Sequence, residues 1–174
     1  MRQLNKTKFL TITSLILFAI ISRLLPHPAN FTPILAIALF GGVYFEDKKL
    51  AFIIPLFAML ISDLFRGFHD TMLFVYVSFA ICVFLGINLS NNIKISKIFL
   101  STISGSLIFF IITNFGSWLT DPMYKPLSIT SIIQCYTLAI PFFRNSLSGD
   151  LIYSAVIFGA YNLAAKYIPA LIKK

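Results

Sequence analysis

Charge is scarce in this chain and acid scarcer still: 11% of the 174 residues are charged, and only six are aspartate or glutamate. A soluble domain carries about 25% charged residues. With 58% of its residues hydrophobic, a soluble core of this size has no room to hide so many leucine, isoleucine and phenylalanine side chains. Cysteine is limited to Cys82 and Cys135, both in apolar stretches. No Cys-x-x-Cys or metal-ligand spacing is present, so buried, reduced, structural thiols are expected and no metal site. The chain also lacks a Walker loop, a Rossmann fingerprint, a Gly-x-Ser-x-Gly elbow and a His-Glu-x-x-His site. No cofactor is therefore expected, and any energy coupling has to come from a partner or an ion gradient.

What the chain does have is long apolar runs separated by short polar connections. The runs cover 9–25, 33–45, 50–65, 71–89, 98–119, 129–143 and 146–168. A helix needs about 20 apolar residues to cross a hydrocarbon core about 30 Å thick. Runs 33–45 and 129–143 fall short, and the first must be tilted or sunk among its neighbours. The basic residues arbitrate. With a cytoplasmic N-terminus, ten of the fourteen, Arg2, Lys6, Lys8, Lys48, Lys49, Lys94, Lys97, Lys166, Lys173 and Lys174, lie at inside ends. The net charge of +8 thus reflects topology and anionic lipid rather than nucleic acid. Both termini are inside only if the number of spans is even. The segment 129–143, short and broken by Pro141, is expected to enter from the outer face and return. The N-terminal run imitates a signal peptide but has no small-x-small cleavage site, and it reads as a retained first helix. The expectation is an all-α polytopic membrane helix bundle, one integral domain over 1–174, with six transmembrane helices (9–25, 33–45, 50–65, 71–89, 98–119 and 146–168) plus one short re-entrant or interfacial helix.

The remaining polar residues gather in four clusters on the outer side. Arg23 to Pro33 holds three prolines within eight positions, a rigid connection that can present His27 and Asn30 at fixed places. The plainer reading has Thr32 capping the next helix with Pro33 in its first turn. Ser62 to Asp70 places Asp63 near the end of an apolar helix, where it either pairs with Arg66 at i+3 or lines a pocket with His69. Asn114 and Trp118 share a helix face, with interfacial anchoring the commoner use of such a tryptophan. Pro141 to Tyr153 supplies Arg144, Asn145, Asp150 and Tyr153: Asn145 or Ser146 is a natural cap for the last span, and Asp150 either complements the helix dipole beside Arg144 or faces a ligand. Ala36, Ala38, Gly41, Gly42, Gly105 and Gly159 permit close helix packing.

The strings Arg23-Leu-Leu-Pro-His-Pro-Ala-Asn-Phe-Thr-Pro33, Leu39-Phe-Gly-Gly42, Ser62-Asp63, Gly67-Phe-His69, Ile112-Thr-Asn-Phe-Gly116, Pro141-Phe-Phe-Arg-Asn145 and Gly149-Asp150 resemble a family of small bacterial integral membrane proteins labelled only by a proposed transport role. That family is similar to the substrate-binding S components of energy-coupling-factor transporters. The resemblance implies a non-enzymatic transport protein of the bacterial cytoplasmic (inner) membrane, binding a small nutrient or vitamin-like molecule near its outer face. His27, Asn30, Asp63, His69, Asn114, Trp118, Arg144, Asn145, Asp150 and Tyr153 are the expected binding residues. The implied partners are the small-molecule substrate, membrane lipid and an energising transmembrane subunit with ATPases. S components dock on that subunit through an Ala-x-x-x-Ala face on the first helix; here that helix has only Ala19, which leaves solitary transport open. Two other readings stay in play: a membrane-embedded enzyme acting on lipid head groups, and a scaffold whose polar clusters only stabilise helix ends.

Overall fold

A computed structural model describes residues 14, 17, 18, 21–26, 28 and 30–167. Most of the expected span 9–25 and all of His27 lie outside the described residues. Among those described the chain is helical and has no strand: a turn of helix at 21–24 precedes α1 (Ile34–Tyr44), α2 (Lys48–Arg66), α3 (Met72–Leu89), α4 (Ile95–Thr120), a 3-10 turn (Pro122–Tyr124) and α5 (Ile129–Tyr167). Among the described residues, α3 and α4 are the helices with both the length and the sustained apolar composition to cross a membrane.

The short helix α1 lies at the centre. Ile34 to Val43 are buried without exception, so α1 has no outward face and α2, α3, α4 and α5 all pack on it. At 1.5 Å per residue it is about 16 Å long, and burial inside protein is what makes such a short apolar helix viable. Pro33, not Thr32, is its N-cap, and no side chain bonds the cap position. Its C-terminal end is closed by Lys48, whose Nζ donates to the carbonyls of Gly42 and Phe45 at 2.9 Å each. A cation at a helix C-terminus meets both the unpaired carbonyls and the negative end of the dipole. Asp47 accepts from the Lys49 amide and starts α2 immediately afterwards. Gly67, with φ of 95°, terminates α2 in a backbone conformation that suits glycine.

The most extensive helix contact is between α1 and α3, and two glycines set it. A Cβ on Gly42 would collide with the backbone of Val83, Gly86 and Ile87, and one on Gly86 with the Leu39 carbonyl. Backbones this close gain dispersion along their whole contact, which is the main source of helix cohesion where lipid replaces water. Gly105 extends the contact to α4, touching Cys82 and Leu35. Gly159 faces open space, so the expected packing role fails there.

The long helix α5 corrects the expected break. The segments 129–143 and 146–168 are not a re-entrant piece and a separate span; 129–167 is one helix of 39 residues with Pro141 inside it, and 168 lies outside the described residues. Asn145 and Ser146 are mid-helix positions rather than caps. Ser128 and Ser131 provide the start, each hydroxyl accepting from the other's amide at 3.0 and 3.1 Å, a reciprocal arrangement like a capping box. Proline removes one donor but is tolerated in such helices where neighbours compensate. The cost shows in the path. Between the contacts Asn114–Cys135 and Ser106–Asp150, α4 advances eight residues and α5 fifteen, about 12 Å against about 22 Å of rise. The two helices therefore diverge over this stretch, with Pro141 near its middle.

The outer surface of the bundle is apolar. Phe57, Leu64, Leu73, Phe84, Leu100, Ile111 and Ile133 are among the exposed large side chains, far beyond the isolated apolar residues normal on a soluble surface. Five hydroxyls on α4, those of Thr102, Ser106, Thr113, Ser117 and Thr120, donate back to the carbonyl four residues earlier, which satisfies them without water.

The glycine contact makes a measurable claim. Gly86→Ala should lower unfolding stability of the detergent-purified protein by about 1–3 kcal/mol, the usual cost of overpacking, while Gly159→Ala should leave the thermal midpoint unchanged or raised. A neutral Gly86→Ala would contradict the α1–α3 crossing described above.

Candidate functional site

Three connections meet at one end of the bundle: the segment before α1, the 67–71 turn between α2 and α3, and the 121–128 link between α4 and α5. Beneath the first two lies a cavity of about 890 Å³. The divergence of α5 from α4 forms part of its wall, through Ala139, Phe142, Phe143 and Ser146. Exposed Leu25, Pro26, Arg66 and His69 stand around its mouth, and buried Asp63 and Asp150 line its interior.

Asp63 is 1% exposed and is fully engaged. Arg23 Nη2 donates to its Oδ1 at 2.8 Å, and the Tyr76 hydroxyl donates to Oδ2 at 3.1 Å. Arg23 also contacts the Met59 thioether. Arg66, the expected i+3 partner, instead donates to the Arg23 carbonyl at 2.9 Å. The ion pair thus clamps the N-terminal helical turn to α2 and α3 rather than closing a local loop. A buried pair of this kind gains little over an apolar replacement, but losing one member leaves an uncompensated charge.

Asp150 differs. It is 5% exposed, and the Ser106 hydroxyl at 2.6 Å from Oδ2 is its hydrogen-bond partner. No cation pairs with it among the described residues. Arg144, the expected neighbour, is exposed and outside the cavity lining. Asp150 lies in mid-helix, about six turns from the start of α5 at Ile129, out of reach of a dipole stabilisation that fades within the first turn.

Residues 3–171 match the family of unknown function DUF6580. The chain belongs to that family. No curated protein and no solved structure matches it.

Within this DUF6580 chain, five of the ten expected site residues line one cavity: Asn30, Asp63, His69, Asn114 and Asp150. Asn30 sits in a turn with φ of 63°, a left-handed position that asparagine accepts better than most residues. The Thr32 amide bonds its carbonyl at 3.1 Å. His69 Nδ1 lies 2.8 Å from the Thr71 hydroxyl. The Asn114 Nδ2 gives one of its two hydrogens to Phe110 O at 2.7 Å.

The other expected residues go elsewhere. Trp118 donates to the Ser131 hydroxyl at 2.9 Å and stacks near Phe115, so it fastens α4 to the start of α5. Tyr153 packs between Phe18 and Phe31. Asn145, like Arg144, is outside the lining, and His27 lies outside the described residues. Arg23, Ser106, Thr113, Ser117 and Ser146 were not among the expected binding residues. Arg23 had a legible signal, a charge opposite to Asp63 at the same end of two apolar segments. The hydroxyls had none, because a serine or threonine in an apolar helix most often bonds its own backbone.

The ion pair predicts an asymmetry. Asp63→Ala should cost about 3–5 kcal/mol by stranding the Arg23 guanidinium, whereas Arg23→Met with Asp63→Leu should recover most of that loss. Denaturant titration of the purified variants checks it, and a double variant no better than Asp63→Ala would remove the pair from its central place.

Proposed function

We propose that this chain is an S-component-like transport protein of the bacterial cytoplasmic membrane, which binds a small polar nutrient in the cavity between its helices. The observation that carries the reading is the combination of an apolar exterior with a large cavity whose interior holds buried polar groups. Ligand pockets span about 300–1,000 Å³ with a few convergent polar groups on an apolar wall, and a space of about 890 Å³ suits a vitamin-sized molecule. Ionisable residues kept inside an apolar bundle are expensive and mark substrate or ion paths.

The topology follows from the same elements. In the proposed arrangement six helices traverse the bundle in alternation, 9–25 first, α1 sunk in the interior and 129–167 last, with both termini cytoplasmic and the cavity mouth outside. Arg66 and His69 then meet incoming solute. Asn30 and Asn114 orient it, and Phe109, Phe110, Phe142 and Phe143 supply flat apolar faces for its ring or chain. Because the small-residue face of S components is absent from 9–25, the chain works alone or meets its energising subunit through another surface.

The protein purified in mild detergent should retain a small molecule identifiable by mass spectrometry after denaturation. Asn114→Ala should weaken that binding about tenfold or more, the usual consequence of losing one buried hydrogen bond to a ligand, while leaving the unfolding midpoint near that of the parent. A cysteine replacing Lys125 should react with an impermeant reagent on intact cells. Turnover of a lipid head group by the isolated chain, with no retained solute, would overturn the transport reading; labelling of position 125 only after permeabilisation would overturn the topology.

A further inference from the structure

The two buried carboxyl groups of the cavity are not equivalent. Asp63 has a guanidinium and a phenol; Asp150 has a serine. The groups facing Asp150 from each packed element can be named. From α4 come Ser106 and Thr102, with Ser154 beside them on α5 itself. From α3 the nearest titratable group is the Cys82 thiol. The facing helix α1 carries no titratable side chain except Tyr44 at its far end. Across the cavity stand Arg23, Asp63, Arg66 and His69, of which Arg23 is taken by Asp63.

Hydrogen counting then distinguishes the two states of Asp150. Ser106 has one hydroxyl hydrogen and two acceptors within reach: Thr102 O at 3.0 Å and Asp150 Oδ2 at 2.6 Å. An ionised Asp150 competes with that carbonyl for a single hydrogen. A protonated Asp150 donates to Ser106 Oγ while Ser106 donates to Thr102 O, and both acceptors are served. An isolated carboxylate at this depth, with no cation beside it among the described residues, would also carry a large desolvation cost.

We propose that Asp150 is the proton-binding site of this protein, and that its protonation couples solute movement to the transmembrane proton gradient. The inference rests on the transport reading. A proton enters through the cavity mouth and joins the Asp150 carboxylate, giving the neutral acid hydrogen-bonded to Ser106. When the cavity opens to the cytoplasm with its solute, the acid releases that proton to water and regains its negative charge. No other reactant is needed.

Two measurements test this with the full chain. Infrared spectroscopy of the purified protein at neutral pH should show a carboxylic-acid C=O band that is lost in Asp150→Asn, retained in Asp63→Asn and shifted in Ser106→Ala. The last variant keeps the carboxyl and so guards against loss of folding in the first. Absence of the band in the folded parent overturns the proposal. In lightly buffered right-side-out vesicles, a defined mixture of isotope-labelled vitamins, amino acids and polyamines should be taken up with alkalinisation of the medium. Both should be lost with a protonophore and in Asp150→Asn. Uptake without alkalinisation, insensitive to the protonophore, overturns proton coupling and leaves transport standing. No uptake of any component overturns the transport reading and the proposal with it.

Discussion

Ten successive residues with no outward face constrain the whole bundle. Because α1 is too short to reach both membrane surfaces and apolar on every side, the other helices must wrap it. Its backbone approach to α3 through Gly42 and Gly86 leaves no choice of distance. From there the constraint passes outward: Cys82 on α3 and Leu35 on α1 meet Gly105 on α4, and the next residue along α4 is Ser106, which holds Asp150. The buried acid of the cavity is thus only a few contacts removed from the tightest crossing in the molecule. Packing of small residues and placement of a charge are one arrangement here.

The cavity exists because that tight unit is not extended to α5 along its full length. Near one end Trp118 and Asn114 hold α5 through Ser131 and Cys135; deeper in, Ser106 and Thr102 hold it through Asp150 and Ser154. Between these two clasps the helices separate, bridged by the Phe110 ring, which reaches both Tyr136 and Phe143, and by the Tyr136 hydroxyl, which donates to Ile111 O at 2.7 Å. The polar groups of the site therefore line a gap between two fixed points. That is a stiffer support than a loop provides.

Much of this architecture was legible because charge is so sparse. The boundaries of the apolar runs at 33–45, 50–65, 71–89 and 98–119 agree with α1 to α4 within a few residues, since each run is bounded by charged or polar residues or proline. The last helix was misread for a physical reason: proline 141 signals a break in water, where a lost hydrogen bond exposes backbone to competing solvent, but not in a bundle where α5 is braced on both sides. The site was half legible. Buried acids and their outward neighbours announce themselves by cost, so Asp63, His69, Asn114 and Asp150 could be selected from the chain alone. Which cation serves which acid depends on helix placement, and an i+3 spacing gave Arg66 a false priority over Arg23, forty positions away. Trp118 and Tyr153 share faces with polar residues, yet helix periodicity cannot tell a side chain aimed at a cavity from one aimed at the adjoining helix.

Proline 141 acquires a different meaning once the two clasps are known. A helix lacking one internal hydrogen bond bends most cheaply at that point, and this point lies between the two clasps, beside the Phe110–Phe143 contact. A bend there lets α5 leave α4 after Cys135 and return to it at Asp150 with both clasps closed. The width of the gap is thus set by the bend of a single continuous helix, and the glycine crossing is untouched by it.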